Sequence, residues 1–443
     1  MQAGHVLHRS TQARPPIAVR GEGIFLIDET GRRYIDACGG AAVSCLGHGH
    51  PAVIAAMTEQ AGRLEYAHTG FFSTEAAEKL ATRIAELSPG ALDRVWFTSS
   101  GSEATEAAVK LARQYHLERA DAGRKRLIAR SFSYHGNTLG ALAAGGSLWR
   151  RAPYHPLLID VTLVDPCFEY RFAEPDEGSE EYGRRAANAL EQEIERLGPE
   201  TVMAFIAETV VGATAGAVPP VAGYFRRVRE ICDRYGVLLI LDEVMCGSGR
   251  TGTFLSCEQD GVVPDIATLG KGLGAGYQPI GAVICTGAVY DAVSRGSGAL
   301  KHGQTYNAHP IGCAAALEVQ EVVCKDSLLN RVKQAGKRLS ALLSDRFGNY
   351  PHVGDIRGRG LLQAIELVAD RDTKAWFDPA LKLHERAKAD AFARGLLIYP
   401  GGGTADGRSG DHILLAPPYN VTDDELDMIV DLLGQTVDAV TPS

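Results

Sequence analysis

Two periodicities alternate along most of the chain. Short runs dominated by aliphatic residues, Val95–Thr98, Arg126–Ala129, Val202–Ala207 and Val237–Leu241, read as β-strands. The last of these, VLLIL, is apolar at every position, as expected of a central strand covered on both faces. Between the runs the spacing turns helical. Ala104, Ala107, Ala108, Leu111, Ala112 and Tyr115 fall on one face after the turn Ser99–Ser102, and Tyr224–Tyr235 forms a helix between two strands. This alternation predicts an α/β fold with a mostly parallel central sheet flanked by helices.

The pattern changes after Asn307–His309. A helix from Pro310 to about Lys325 leads into an amphipathic, charged helix, Leu328–Phe347. Arg357–Leu367, Gly395–Pro400 and Asp411–Ala416 then read as short strands of a smaller α+β unit. At the other end Gly21–Asp36 reads as a β-hairpin with a Glu-Thr-Gly turn. Glu174–Glu181 is a solvated acidic excursion, since strand–helix alternation resumes after it. The expected organisation is a large domain over residues 71–310 and a small α+β domain built from both chain termini, 1–70 and 311–443.

Composition narrows the classes. Of 443 residues 45% are hydrophobic and 22% charged, and the net charge is −9. An acidic chain of this kind is not expected to bind nucleic acid, which needs basic charge to neutralise phosphates. No apolar run approaches the ~18 residues of a membrane span, and the opening MQAGHVLHRSTQARPP lacks an apolar signal core. Nine cysteines without a CxxC pair fit free thiols, so a cytoplasmic protein is expected. The 50 glycines gather in short clusters, where chemistry is best sought.

Five segments stand out. Ser99-Ser100-Gly101-Ser102-Glu103, between a strand and a helix, is either a phosphate cradle or an ordinary helix cap. Asp242-Glu243 ends VLLIL at a poorly hydrated strand end, where an acid needs a cationic partner, a helix cap or an internal salt bridge. Lys271, held among Gly270, Gly272, Gly274 and Gly276, is either an amine nucleophile or a solvated loop lysine. The order lacks the GxxxxGK[ST] arrangement of a nucleotide loop. Tyr134, in Ser133-Tyr134-His135-Gly136, stands where an aromatic ring could stack on a flat ligand, and Glu208 ends another strand. Together an anion cradle, an acid for a ring nitrogen, an aromatic face and an isolated amine describe a pocket for pyridoxal phosphate.

The blocks SGSEATEAAVKLAR, SYHGNT, LILDEVMCGSGRTG, LGKGLGAGYQPIGAV and TYNAHPIGCAAAL occur in the order and spacing of one family. The chain resembles the class III (omega-type) pyridoxal-phosphate-dependent aminotransferases of fold type I, from about Gly21 to Leu433. The resemblance implies that Lys271 forms a Schiff base with the cofactor. It implies that Asp242 contacts the ring nitrogen, Val244 lies under the ring and Tyr134 lies over it, with His135 beside it. Ser100, Gly101 and Ser102 would hold the phosphate, and Glu208 would sit near Asp242. Thr305 would reach the phosphate of a neighbouring subunit's cofactor. A homodimer, or a tetramer of such dimers, is therefore expected to be the active form.

Departures from the family pattern bear on substrate. Ornithine- and GABA-type relatives carry Arg in an R-x-x-P-P segment, where this chain has Leu414. Ala213 and Met245 replace their Glu and Gln. By resemblance these changes point to the branch that moves amino groups from amines or omega-amino acids to a keto acid, with pyruvate expected over 2-oxoglutarate. Arg408, between Gly407 and Gly410, is the expected carboxylate anchor. Ala42 stands where the branch often has Trp, and Phe25, Tyr66 and Phe71 are expected to line the same pocket. His48 and His50 read as caps of a helix from Pro51 rather than metal ligands. A decarboxylase or aminomutase of the same family is the alternative enzyme. A non-catalytic DNA-binding fusion is disfavoured, since no basic recognition helix is visible.

Overall fold

The structure, a computed structural model, describes residues 5–442. The first four residues of the predicted small-domain segment, and Ser443, lie outside the described residues.

Three N-terminal strands, β1 (Ala18–Glu22), β2 (Phe25–Asp28) and β3 (Arg33–Asp36), form an antiparallel meander. The Glu-Thr-Gly turn joins β2 to β3: Asp28 Oδ1 accepts from the Thr30 N–H at 2.9 Å and from its hydroxyl at 2.6 Å, and Gly31 takes φ 86°. The predicted hairpin is thus the second half of the meander, because Gly21 and Glu22 belong to β1.

The central sheet contains β4 (Leu92–Thr98), β5 (Arg126–Arg130), β6 (Thr162–Val164), β7 (Val202–Glu208), β8 (Leu238–Asp242), β9 (Ile266–Leu269) and β10 (Gly281–Thr286). Their spatial order is β4-β10-β9-β8-β7-β5-β6, and only β10 runs antiparallel. Every residue of β7 and β8 is buried, as their unbroken apolar runs require. Alternate residues serve opposite faces. Ile240 packs with Ala104, Ala108 and Ala112 of the helix Gly101–Glu118, while Leu239 and Leu241 pack with Leu190 and Val228.

The smaller C-terminal sheet contains β11 (Val353–Arg359) and β12 (Leu362–Leu367). The strands that follow are β13 (Leu396–Leu397), β14 (Tyr399–Gly402) and β15 (Asp411–Leu415). Sheet order is β11-β12-β15-β14, and β13 instead pairs in parallel with β3. Two expectations are corrected here. Arg357–Leu367 is a hairpin rather than one strand, turning at Gly360, whose φ is 57° and whose position would place a side chain against Thr251. Gly395–Pro400 is divided between two sheets. The core beside these sheets draws on both chain ends, with Ile24, Ile35 and Val53 packed among Leu339, Leu343, Ile413 and Leu433.

Arg250, in the Gly-Arg-Thr-Gly segment, is buried. It donates to the carbonyls of Pro417 (2.5 Å) and Leu361 (3.2 Å), tying the central sheet to the C-terminal segment. The helix Pro51–Arg63 begins where expected, but neither histidine caps it with its side chain. His50 supplies its backbone N–H to the Tyr277 hydroxyl at 2.7 Å, and His48 Nε2 lies 3.1 Å from Asp36. All nine cysteines are free. Among the described residues no helix is long and apolar enough to cross a membrane.

Candidate active site

A cavity of about 460 Å³ opens at the carboxyl ends of the parallel strands, where α/β sheets gather ligands. Each wall follows from a strand end. β4 leads into Ser100, Gly101 and Ser102; β5 leads to Tyr134 and His135; β7 ends at Glu208; β8 ends at Asp242 with Val244 beyond; β9 is followed by Lys271.

The serine turn caps its helix. Ser100 Oγ accepts from the Glu103 N–H at 3.2 Å, and Glu103 Oε2 accepts from the Ser99 N–H at 2.7 Å, so the helix is capped. The first-turn amides of Gly101 and Ser102 still lack intrahelical acceptors and line the cavity with the positive end of an 18-residue helix behind them. Gly101 is demanded by packing: a Cβ there would fall 2.7 Å from Val244 Cγ1.

Asp242 is nearly inaccessible, its side chain 4% exposed. Its Oδ1 accepts from the Val244 N–H (2.9 Å) and the Thr268 hydroxyl (3.2 Å), and its Oδ2 lies 2.7 Å from His135 Nδ1. The carboxylate is thereby fixed in direction. Its neighbour Glu243 turns away into the core, accepting from Thr209 Oγ1 (2.6 Å) and the amides of Ser256 (2.8 Å) and Cys257 (2.9 Å); burial raises its carboxyl.

Glu208 accepts from the Tyr134 N–H and the Gly212 N–H, both at 2.9 Å, so it positions the Tyr134 loop. Burial raises its carboxyl and Asp242 adds to the rise, with His135 and the two amides opposing. Lys271 has φ 41°, an uncommon conformation for a residue with a side chain. Burial lowers its ammonium below the ordinary value, against the pull of Asp242 and Glu208. A lysine so placed has a larger neutral, nucleophilic fraction than a surface lysine.

The other expected site residues lie elsewhere. Ala42 is buried with Met245, Leu414 and Ala416, while Gly40 and Ala41 line the cavity; the backbone kink at Gly40 (φ 69°) reverses which residues face it. Phe25 packs at the edge of the core drawn from both chain ends. Tyr66 donates to the Thr305 carbonyl at 2.9 Å, and both lie outside this chain's cavity, as does Phe71, which is 81% exposed. Arg408 is exposed and lines an outer chamber of about 720 Å³ that shares Gly40, Ala213 and Tyr399 with the inner cavity. Arg9 and Arg150 line both spaces, and no sequence signal singles them out.

A family model for class-III aminotransferases matches residues 7–437. An uncharacterized aminotransferase of Schizosaccharomyces pombe is 46% identical, covering 98% of this chain and 95% of its own. Among solved structures, the omega transaminase of Pseudomonas jessenii in complex with PMP superposes with a TM-score of 0.92 at 33% identity, covering 99% of this chain and 96% of that one. The PMP-bound aminotransferase of Vibrio fluvialis gives 0.91 at 30% identity, covering 98% and 96%. The chain belongs to the class-III aminotransferase family, whose fold is that of the omega transaminases and whose members work with pyridoxal phosphate.

The residues present fit that cofactor. The open amides at the helix start suit a phosphate, Asp242 suits a protonated ring nitrogen, and Tyr134 and Val244 offer faces for a flat ring. Gly136, at φ 144°, keeps the cradle clear, since a Cβ there would fall 2.5 Å from Ser102 Oγ.

Proposed function

We propose that this aminotransferase moves the amino group of an amine or omega-amino acid to pyruvate, with Lys271 as its reacting amine. The observation that carries the reading is that the buried lysine and the anchored carboxylate of Asp242 line one cavity with a helix start.

Lys271 would hold the cofactor through its amine, which lies buried in the cavity wall. Pyridoxal phosphate, when bound, supplies an electron-withdrawing ring that accepts the electron pair left by loss of a proton beside the substrate nitrogen. Lys271 Nζ, buried and short of solvent, would serve as the base that takes that proton. Asp242, held by His135, would keep a proton on the ring nitrogen. Ser100, Gly101 and Ser102 would hold the phosphate, and Tyr134 and Val244, which line the same cavity, would flank the ring. Glu208 keeps Tyr134 in place through the backbone.

The choice of acceptor rests on position 414, where an apolar residue stands. Leu414 is fully buried in an apolar cluster, so a second carboxylate has no partner at that position. Arg408, on a loop with glycines at 403, 407 and 410 in left-handed conformations, is the anchor for the single carboxylate of pyruvate. The exposure of Phe71, Phe72 and Tyr306, the last next to Thr305 in the chain, supports a homodimer in which Thr305 reaches the neighbouring subunit's cofactor.

An amine panel run with pyruvate and with 2-oxoglutarate tests this, reading alanine, glutamate and carbon dioxide. Alanine is expected to form fastest. Equal formation of glutamate overturns the acceptor assignment, and stoichiometric carbon dioxide overturns the transaminase reading in favour of a decarboxylase.

A further inference from the structure

Resting on the aminotransferase reading, we propose that Arg150 anchors a second anionic group on the amine donor, a carboxylate or phosphate remote from the reacting nitrogen and seated in the outer chamber. The inner cavity, about 460 Å³, has to hold the cofactor and the reacting carbon. The outer chamber, about 720 Å³, shares Arg150 with it, so this residue stands on the wall common to both spaces.

The charge of that passage is unbalanced. Arg9, Arg150, Lys388 and Arg408 line the chamber, and none forms an ion pair with a described carboxylate. The one acid on its wall, Glu385, lies 3.7 Å from Lys382. His384, also on the wall, is held by Asp411 at 2.6 Å, which raises its pKa. Four cations turned to one space, in a chain of net charge −9, are not a consequence of composition.

Arg150 is the most constrained of them. Its guanidinium lies 4.9 Å from the centre of the Tyr134 ring and 4.3 Å from that of Trp149. Its Nε is buried without a hydrogen-bond partner. Stacking orients the planar fork, and the unmatched donor leaves it ready for an oxygen anion, which pairs with Arg in two parallel hydrogen bonds. Arg408, exposed on its loop, remains the anchor of the keto acid.

The test compares three donors of equal chain length: pentylamine, 5-aminopentanoate and 5-aminopentyl phosphate. Wild-type holoenzyme and the Arg150→Gln and Arg150→Lys variants are assayed with pyruvate. The expected KM rise for the anionic donors in Arg150→Gln is roughly ten- to a hundred-fold greater than for pentylamine, with partial rescue in Arg150→Lys. The two anionic donors distinguish a carboxylate from a phosphate by which loses more. Calorimetric titration of the holoenzyme with pentanoate and pentyl phosphate gives a readout independent of turnover, and binding of either should weaken in Arg150→Gln. Thermal unfolding identifies a variant that fails to fold, in which case Arg150→Lys decides. Equal KM changes for all three donors, with unaltered calorimetry, overturn this inference. Failure of every amine to change the cofactor's absorbance overturns the aminotransferase reading instead.

Discussion

Replacing Asp242 by Asn changes one atom in the most constrained part of the site. The amide oxygen can keep both bonds now made by Oδ1, from the Val244 N–H at 2.9 Å and the Thr268 hydroxyl at 3.2 Å. The amide nitrogen then faces His135 Nδ1, which accepts once the imidazole proton sits on Nε2. His135 Nε2 is buried without a hydrogen-bond partner, so the shifted proton is left unpaired there and the fold should lose about 1–3 kcal/mol. Loss of a buried negative charge also relieves Glu208, whose carboxyl is raised in part by Asp242. Function should suffer far more, because a neutral amide cannot hold a proton on a ring nitrogen. Loss of one preorganised electrostatic partner lowers kcat by about 10²–10³, or roughly 3–4 kcal/mol. Stopped-flow measurement of the amine half-reaction at saturating cofactor gives kcat, and a cofactor titration and thermal melt separate binding and folding. A rate within threefold of wild type, in a variant that binds cofactor normally, refutes the role given to Asp242.

Lys271→Ala should abolish transamination yet retain cofactor without a covalent bond, measured by dialysis and absorbance; any normal turnover removes Lys271 from the mechanism. Arg408→Ala should raise the KM for pyruvate by about ten- to a hundred-fold, more than that for a monoamine donor, since a charge-assisted pair contributes on the order of 1.5–3 kcal/mol. An unchanged pyruvate KM would assign the carboxylate to another cation. His412 is buried, and desolvation, with Arg357 and His384 adding, lowers its pKa to about 3 from an ordinary 6.5. Between those values the unfolded chain binds the proton and the folded chain does not. Stability should therefore fall as pH drops through this window, by up to ~1.4 kcal/mol per unit. His412→Gln should flatten that slope in urea unfolding between pH 4 and 7, and an unaltered slope would place the acid sensitivity elsewhere.

The parts of the site readable from sequence are those attached to a strand end. An unbroken apolar run that stops at an acid, as in β7 and β8, announces both burial and the rim of the sheet, so Glu208 and Asp242 stand out. Lys271 stands out because glycines isolate it. Arg9 and Arg150 have no such marker: one precedes every strand, and the other is the third residue of the four-residue helix Leu148–Arg151. Ala42 was displaced by a kink that periodicity cannot register, since positive φ at Gly40 changes the phase of the turn. The hairpin at Gly360 escaped for a related reason, the apolar positions continuing across a reversal that only backbone torsion reveals. Phe25, Tyr66 and Phe71 are apolar loop and edge residues, and hydrophobicity alone does not say which surface such residues face.

The parallel pairing of β3 with β13 joins residues 35–36 to residues 396–397. During synthesis the free edge of the N-terminal meander has to wait while some 360 residues are added. At ribosomal speeds of 5–20 residues per second this lasts roughly 20–70 s. An unpaired strand edge is a template for the wrong neighbour throughout that interval. The nascent chain is therefore most exposed to misassembly at its oldest end, and its last tenth acts as a clasp. A ribosome-bound fragment stopped before Leu396 should present β3 to chaperones or to another nascent chain.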